Sequence, residues 1–295
     1  MVTFKPLRSR QGWYGVLAGL ALLAVDGVLL RVVLRRPIDG LSFILALLIL
    51  LNLPLLLYLA LRLWGCFSLR YQVDRDGVTI VWGAMRQGVA MGRIERIVRG
   101  GTAQRRLAWW PWPGLHGAVG GESDLGPYFS LATRPPAQQL LLVTPDKVFG
   151  ISPAEPERFL EALQERNLLG PAHTLPSEPR WPPLWGWHFW QDRLGLGLLL
   201  AALALVLALF GVLAFRFPSL PAEIPLHFDA LGRPDRVGPR QGLFLLPLIG
   251  LLAWTINTIW GGVVYRHQKL AAYLLWGGAI AVQIIAGLAL GSLIR

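Results

Sequence analysis

The chain has 295 residues, 54% of them hydrophobic, and a mean hydropathy of +0.49. That is too apolar for an ordinary soluble domain and points to the membrane class. The formal net charge of +11 is carried almost wholly by arginine, much of it at the ends of apolar runs, which argues against nucleic-acid binding because that needs the arginines gathered on one soluble face.

In chain order, Lys5, Arg8 and Arg10 precede an apolar run that is too long for a signal peptide and has no small-residue cleavage site after it. It reads as a retained span. Five segments are long enough to cross a hydrocarbon layer that takes about 20 residues of helix: residues 13–34, 41–64, 192–215, 243–265 and 270–293. Trp13, Tyr14, Trp64, Trp190, Trp260 and Tyr265 mark several of their ends, where amphipathic rings favour the headgroup level. "RRPIDG" joins the first two spans as a tight turn, so residues 1–65 form a transmembrane hairpin. Asp26 is an acid inside the first span. Such a group faces a partner or water in a functional role, or sits near the interface, neutral and hydrogen-bonded. Gly15 and Gly19, like Gly287 and Gly291 in the last span, are spaced for close helix packing, within the chain or in a homo-oligomer.

Residues 66–178 are of another kind. "FSLRYQV" and "GVTIVWG" flank Asp74-Arg75-Asp76-Gly77, a hairpin signal. "RIERIV", "YFSLAT", "QLLLVT" and "KVFGIS" continue the strands, with a turn at Pro145-Asp146. A helix follows, with Ser152 placed to cap it, Pro153 in its first position and Glu155 completing a capping box. Arg93, Arg96, Arg99, Arg105 and Arg106 precede Trp109, Trp110 and Trp112 of "WWPWPG". Arg105, Arg106 and the three tryptophans read as a loop resting on lipid headgroups, or else as a solvated β edge. The single Cys66 excludes an internal disulfide and any Cys-pair metal site.

Many strands closed by one helix, ending in "FGISPAEPERFLEALQ", resembles the bacterial pleckstrin-homology-like (PH-like) domain. The resemblance implies a small β-sandwich or barrel with the helix plugging one end. Such domains scaffold binding more often than catalysis. Headgroup binding around the first hairpin is not carried over, because that turn, "DRDG", holds two acids and one arginine.

A Trp/Pro-rich linker, residues 179–191, leads to a three-span membrane domain, 192–295, which contains an extramembrane loop at 217–241. Within it, "LPAEIPLHFDALGRPDRVGPR" is formally neutral, so it is no polybasic lipid tether. Its Leu220, Pro221, Ile224, Pro225, His227, Phe228, Asp229, Gly232, Pro234 and Asp235 resemble the domain-of-unknown-function segment in membrane proteins of the toxin-immunity type, the family of the sporulation-delaying-protein immunity factor. That resemblance implies placement between two spans. His227 and Asp229 are either ligand contacts or parts of a folded turn, and one His with one acid is too few for a zinc site. Turns are expected at 229–232 and at Pro234-Asp235.

These features define an α-helical integral membrane protein of about five transmembrane helices with an inserted mainly-β PH-like domain. The leading expectation is a non-enzymatic sensor, scaffold or immunity-type factor that binds a peptide, protein or envelope component. His227, Phe228, Asp229, Arg233, Asp235 and Arg236 would form the binding loop. No nucleophile, metal or phosphate-loop motif is present, and no cofactor is expected. The rival is a small transporter or channel using Asp26 and the polar span residues Asn52, Thr255, Asn257 and Gln283. Localisation is expected in the inner (plasma) membrane. The PH-like domain is placed in the cytoplasm by a slight excess of Lys and Arg on its side and by the resemblance.

Overall fold

The computed structural model describes residues 1–8, 10–100, 105–107, 117–168, 192–228 and 234–294, with backbone alone for Gln11, 105–107, 117–122, 226–228 and 234–236. Strand β1 (Val2–Phe4) precedes helices α1 (Gln11–Arg35) and α2 (Gly40–Ser68). Then come β2 (Arg70–Val73), β3 (Gly77–Trp82), β4 (Met85–Ala90), β5 (Arg96–Arg99), β6 (Arg105–Leu107), β7 (Gly117–Ser123), β8 (Gly126–Leu131), β9 (Leu140–Val143) and β10 (Val148–Ile151). After α3 (Pro156–Asn167) and α4 (Arg193–Arg216) come β11 (Glu223–Phe228), β12 (Pro234–Pro239), α5 (Leu245–Tyr265) and α6 (Lys269–Leu293). Two compact units result: Met1–Val25 with Asn52–Gly186, and Asp26–Leu51 with Trp187–Arg295.

Five helices among the described residues are long and apolar enough to cross a membrane, and they coincide with the five expected spans. Leu17, Leu20, Leu23 and Val28 of α1 are exposed, as lipid-facing side chains should be. The turn from α1 to α2 is held by a reciprocal cap. The Ser42 N–H donates to Asp39 Oδ1 at 2.7 Å and the Asp39 N–H donates to Ser42 Oγ at 3.0 Å. The backbone bond from Ser42 leads in holding the Asp39 carboxyl below its usual range, with Arg36 adding to it.

In the first unit a four-stranded sheet, β1-β2-β3-β4, is antiparallel throughout. It faces a six-stranded sheet, β5-β9-β10-β8-β7-β6, whose β8–β10 pair is parallel. Alternation along β2 buries Tyr71 and Val73, and Ile80 of β3 and Val89 of β4 join them. Leu131, Leu142 and Ile151 come from the second sheet, and Phe159 and Leu163 of α3 close the same core. The β2–β3 turn needs Gly77, whose φ of +150° few side chains adopt. Asp74 Oδ1 accepts from the N–H groups of Asp76 and Gly77 there, both at 3.0 Å.

Two expectations are corrected. Residues 2–4 do not belong only to a transmembrane hairpin: β1 pairs with β2 (Val2↔Val73, Phe4↔Tyr71) and Phe4 enters the β core against Phe159. The helix does not start at Ser152–Pro153. It begins at Pro156, with Glu155 as N-cap residue. Ser152 is spent elsewhere, since its Oγ accepts from the Thr133 N–H at 2.9 Å and its own N–H donates to Tyr71 Oη at 3.0 Å. Burial pushes the Tyr71 hydroxyl up, so it stays neutral and donates a hydrogen bond to Leu131 O at 2.8 Å.

Candidate functional site

The connection from α4 to α5 is an antiparallel hairpin, β11–β12, with register Glu223↔Pro239, Ile224↔Gly238 and Pro225↔Val237 and irregularities on either side of His227. An isolated two-stranded hairpin is marginal in water. This one is fastened to its own unit in two ways. Ile224, 2% exposed, is buried with Leu213 of α4, Leu290 of α6, Phe217 and Leu243. Arg240, just after β12, donates from its N–H to Ala222 O at 3.0 Å and from Nη1 to Leu220 O at 2.9 Å and Phe217 O at 3.3 Å. Its guanidinium carbon lies 4.6 Å from the Phe217 ring centre. A planar cation thus ties the hairpin's exit to its entry, and the strand prolines are tolerated because both strands are edges.

At the start of α4, Asp192 is the N-cap, its Oδ1 accepting from Leu194 N–H and Gly195 N–H at 3.1 Å each. Oδ2 accepts from Tyr265 Oη at 2.8 Å and Tyr273 Oη at 2.5 Å. The Tyr273 bond is the leading cause that holds this carboxyl below its usual range. Trp276, wholly buried, stacks on Tyr265 with ring centres 5.9 Å apart. Gly261 is required opposite, since a Cβ there would overlap the indole. One carboxylate therefore fastens together the start of α4, the end of α5 and the start of α6.

Of the expected binding-loop residues, His227 and Phe228 fall on β11, and Asp235 and Arg236 on β12. His227 pairs with Arg236 in register, and Phe228 with Pro234. Asp229 and Arg233 lie outside the described residues, as does the expected turn at 229–232. The expected turn at Pro234-Asp235 is corrected: both residues belong to strand β12. Arg105 and Arg106 form β6 with Leu107, paired to β7, whereas Trp109, Trp110 and Trp112 lie outside the described residues, with the linker 179–191. Asp26 is buried in α1. Two polar span residues bond within their own helix, α5, and a third bonds from α6 to α5. Thr255 Oγ1 donates to Leu251 O, Asn257 Nδ2 to Ala253 O, and Gln283 Nε2 to Gly250 O, each at 2.8 Å. No group of three or more His, Cys, Asp or Glu that could hold a metal occurs among the described residues.

The sequence reading did not single out Arg240 as a latch. Its partners are carbonyls 18 to 23 positions back, a distance no local pattern reveals. Asp192 carried a usable signal, an Asp directly before an apolar helix.

Comparison with known proteins agrees with this division of the chain. Residues 69–167 match the family model of the bacterial PH domain, and residues 204–251 match a domain of unknown function (DUF1648). The second match starts inside α4, covers the whole hairpin and ends inside α5. No curated protein and no solved structure matches the chain. The molecule is a multi-span membrane protein with a β domain of bacterial PH type and a hairpin-bearing segment of the DUF1648 type.

Proposed function

We propose that the protein is a non-catalytic membrane receptor or scaffold, of sensor or immunity type, and that the β11–β12 hairpin is its recognition element for a peptide or envelope component. The observation that carries this reading is the fastening of the hairpin by Ile224 and Arg240. A connector between antiparallel helices needs only a few residues. This chain makes such connectors at residues 36–39 and 266–268. A longer connection whose strands are stabilised at their base is preorganised there, which lowers the entropy lost on binding. In this reading His227 and Phe228 of β11 and Asp235 and Arg236 of β12 belong to the recognition element, as do Asp229 and Arg233, which follow and precede those strands in sequence. The β domain lies in the cytoplasm and the hairpin on the outer face of the inner membrane, in keeping with the slight basic excess on the β-domain side. Capture of Thr255 and Asn257 by carbonyls of their own helix favours binding over solute passage.

The test replaces residues 226–236 by an Asn-Gly turn, which keeps Ile224 and Arg240. Loss of partner binding with membrane insertion and melting temperature unchanged is the expected result. Unchanged biological behaviour in a protein of normal abundance would mean that the hairpin is only a connector.

A further inference from the structure

We propose that the open cavity where the N-terminal strand, the start of α1 and the end of α2 meet is a binding site for one anionic phospholipid of the host bilayer. The cavity measures about 720 Å³ and is separate from the hairpin, lying wholly in the first unit. Lys5, Arg8 and Arg70 line it, and no acid among the described residues does. Glu155, next to the Ala154 N–H that bonds Lys5 O at 2.9 Å, is engaged by Arg158. The Arg134 guanidinium donates to Arg8 O at 3.2 Å and adds positive charge behind that wall.

The apolar part of the lining includes Trp13, Phe67 and Leu69. Trp13 and Phe67 meet edge to face with ring centres 5.9 Å apart, yet they are 64% and 56% exposed. Trp13 stands at the third position of α1 and Phe67 is the penultimate residue of α2. The cavity therefore lies where two spans leave the hydrocarbon, the level at which a phosphodiester and the first acyl carbons coexist.

The site is built rather than incidental. β1 is paired to β2, Leu7 N–H donates to Ser152 O at 2.8 Å, and Thr133 Oγ1 donates to Leu7 O at 2.6 Å. This holds the backbone that carries Lys5 and Arg8 beside the start of β2, which carries Arg70. Cations fixed in this way, facing a phosphate on one side and acyl chains on the other, select an anionic lipid over a zwitterionic one.

The experiment uses the full chain purified in detergent, with phosphatidylglycerol and phosphatidylcholine as probes and native mass spectrometry as readout. The expected result is one phosphatidylglycerol retained at least about tenfold more strongly than phosphatidylcholine. The triple variant Lys5→Gln/Arg8→Gln/Arg70→Gln should lose that preference, and Lys5→Arg/Arg70→Lys should keep it. Arg216→Gln/Arg266→Gln, which removes charge elsewhere, should keep it too. Should the triple variant fail to fold, Arg70→Gln alone serves, with a loss of about threefold or more expected. Retention unchanged in the glutamine variants would overturn the assignment, as would equal retention of the two lipids. Displacement of the lipid by millimolar inorganic phosphate would overturn it in favour of a free-anion site.

Discussion

At the scale of single residues, Arg240 and Asp192 act as fasteners, each gathering several partners onto one charged group. Arg240 binds two carbonyls through Nη1 and covers the Phe217 ring, so its planar fork matters as well as its charge. Arg240→Ala should weaken the base of the hairpin by about 2 kcal/mol. Faster hydrogen exchange at Leu220, Ala222 and Ile224 is the check, and Arg240→Lys should restore only part of the protection. Asp192 makes a pH prediction whose sign is fixed. Its folded-state carboxyl is held below the ordinary carboxylate range, chiefly by the Tyr273 hydrogen bond. Its contribution is therefore complete above the unfolded value and lost as pH falls through the lower folded one. Thermal unfolding of the wild type should fall off below about pH 4. Asp192→Asn keeps a capping oxygen but cannot titrate, so its melting temperature should be lower near neutrality and show less of that acid dependence. Equal acid sensitivity in the two proteins would show that Asp192 is not the group responsible.

At the scale of elements, the N-terminal strand has the clearest consequence. Phe4 is 8% exposed and packs edge-on against Phe159, with ring centres 5.3 Å apart. Phe4→Ala should destabilise the β domain by about 3 kcal/mol, read as a fall in the denaturation midpoint of the full chain. A change within a few tenths would mean that β1 merely lies on the surface. The sequence did not disclose this strand, since "VTF" is three residues long and its partner Arg70–Val73 is over sixty positions away. The five spans were legible because each is a long apolar run whose backbone bonds stay inside the segment. Strands β2, β3, β8, β9 and β10 were legible from β-branched and aromatic content. In contrast β7, "GAVGGES", has three glycines, an alanine and a serine and gains its place by pairing with β6 and β8. Ser152 looked like a cap because Ser-Pro is a strong local signal, but buried Tyr71 and Thr133 claimed it. The 220–240 segment read as turns because of its prolines, and the pairing that makes it a hairpin depends on Ile224 finding a distant apolar pocket.

At the scale of the whole molecule, five crossings put the residues before α1 and those after α6 on opposite sides of the bilayer. Reporter fusions ahead of α1 and behind α6 should report different compartments, and the same compartment from both would refute the count. The sheet domain is fastened to the second span at its exit from the membrane. Ser68 Oγ accepts from the Gly83 N–H at 2.7 Å, and the Arg62 guanidinium lies 5.5 Å from the Trp82 ring centre. The hairpin is fastened in the same manner to the ends of α4 and α6. The proposed role of this hairpin is that of a preorganised recognition element. The most direct measurement places a photocrosslinking side chain at position 227 in intact cells, in the wild-type background and with Arg240→Ala. A single adduct of defined mass that is lost on Arg240→Ala, with the spans still inserted, is the predicted result. No adduct, or one indifferent to Arg240→Ala, would contradict the account.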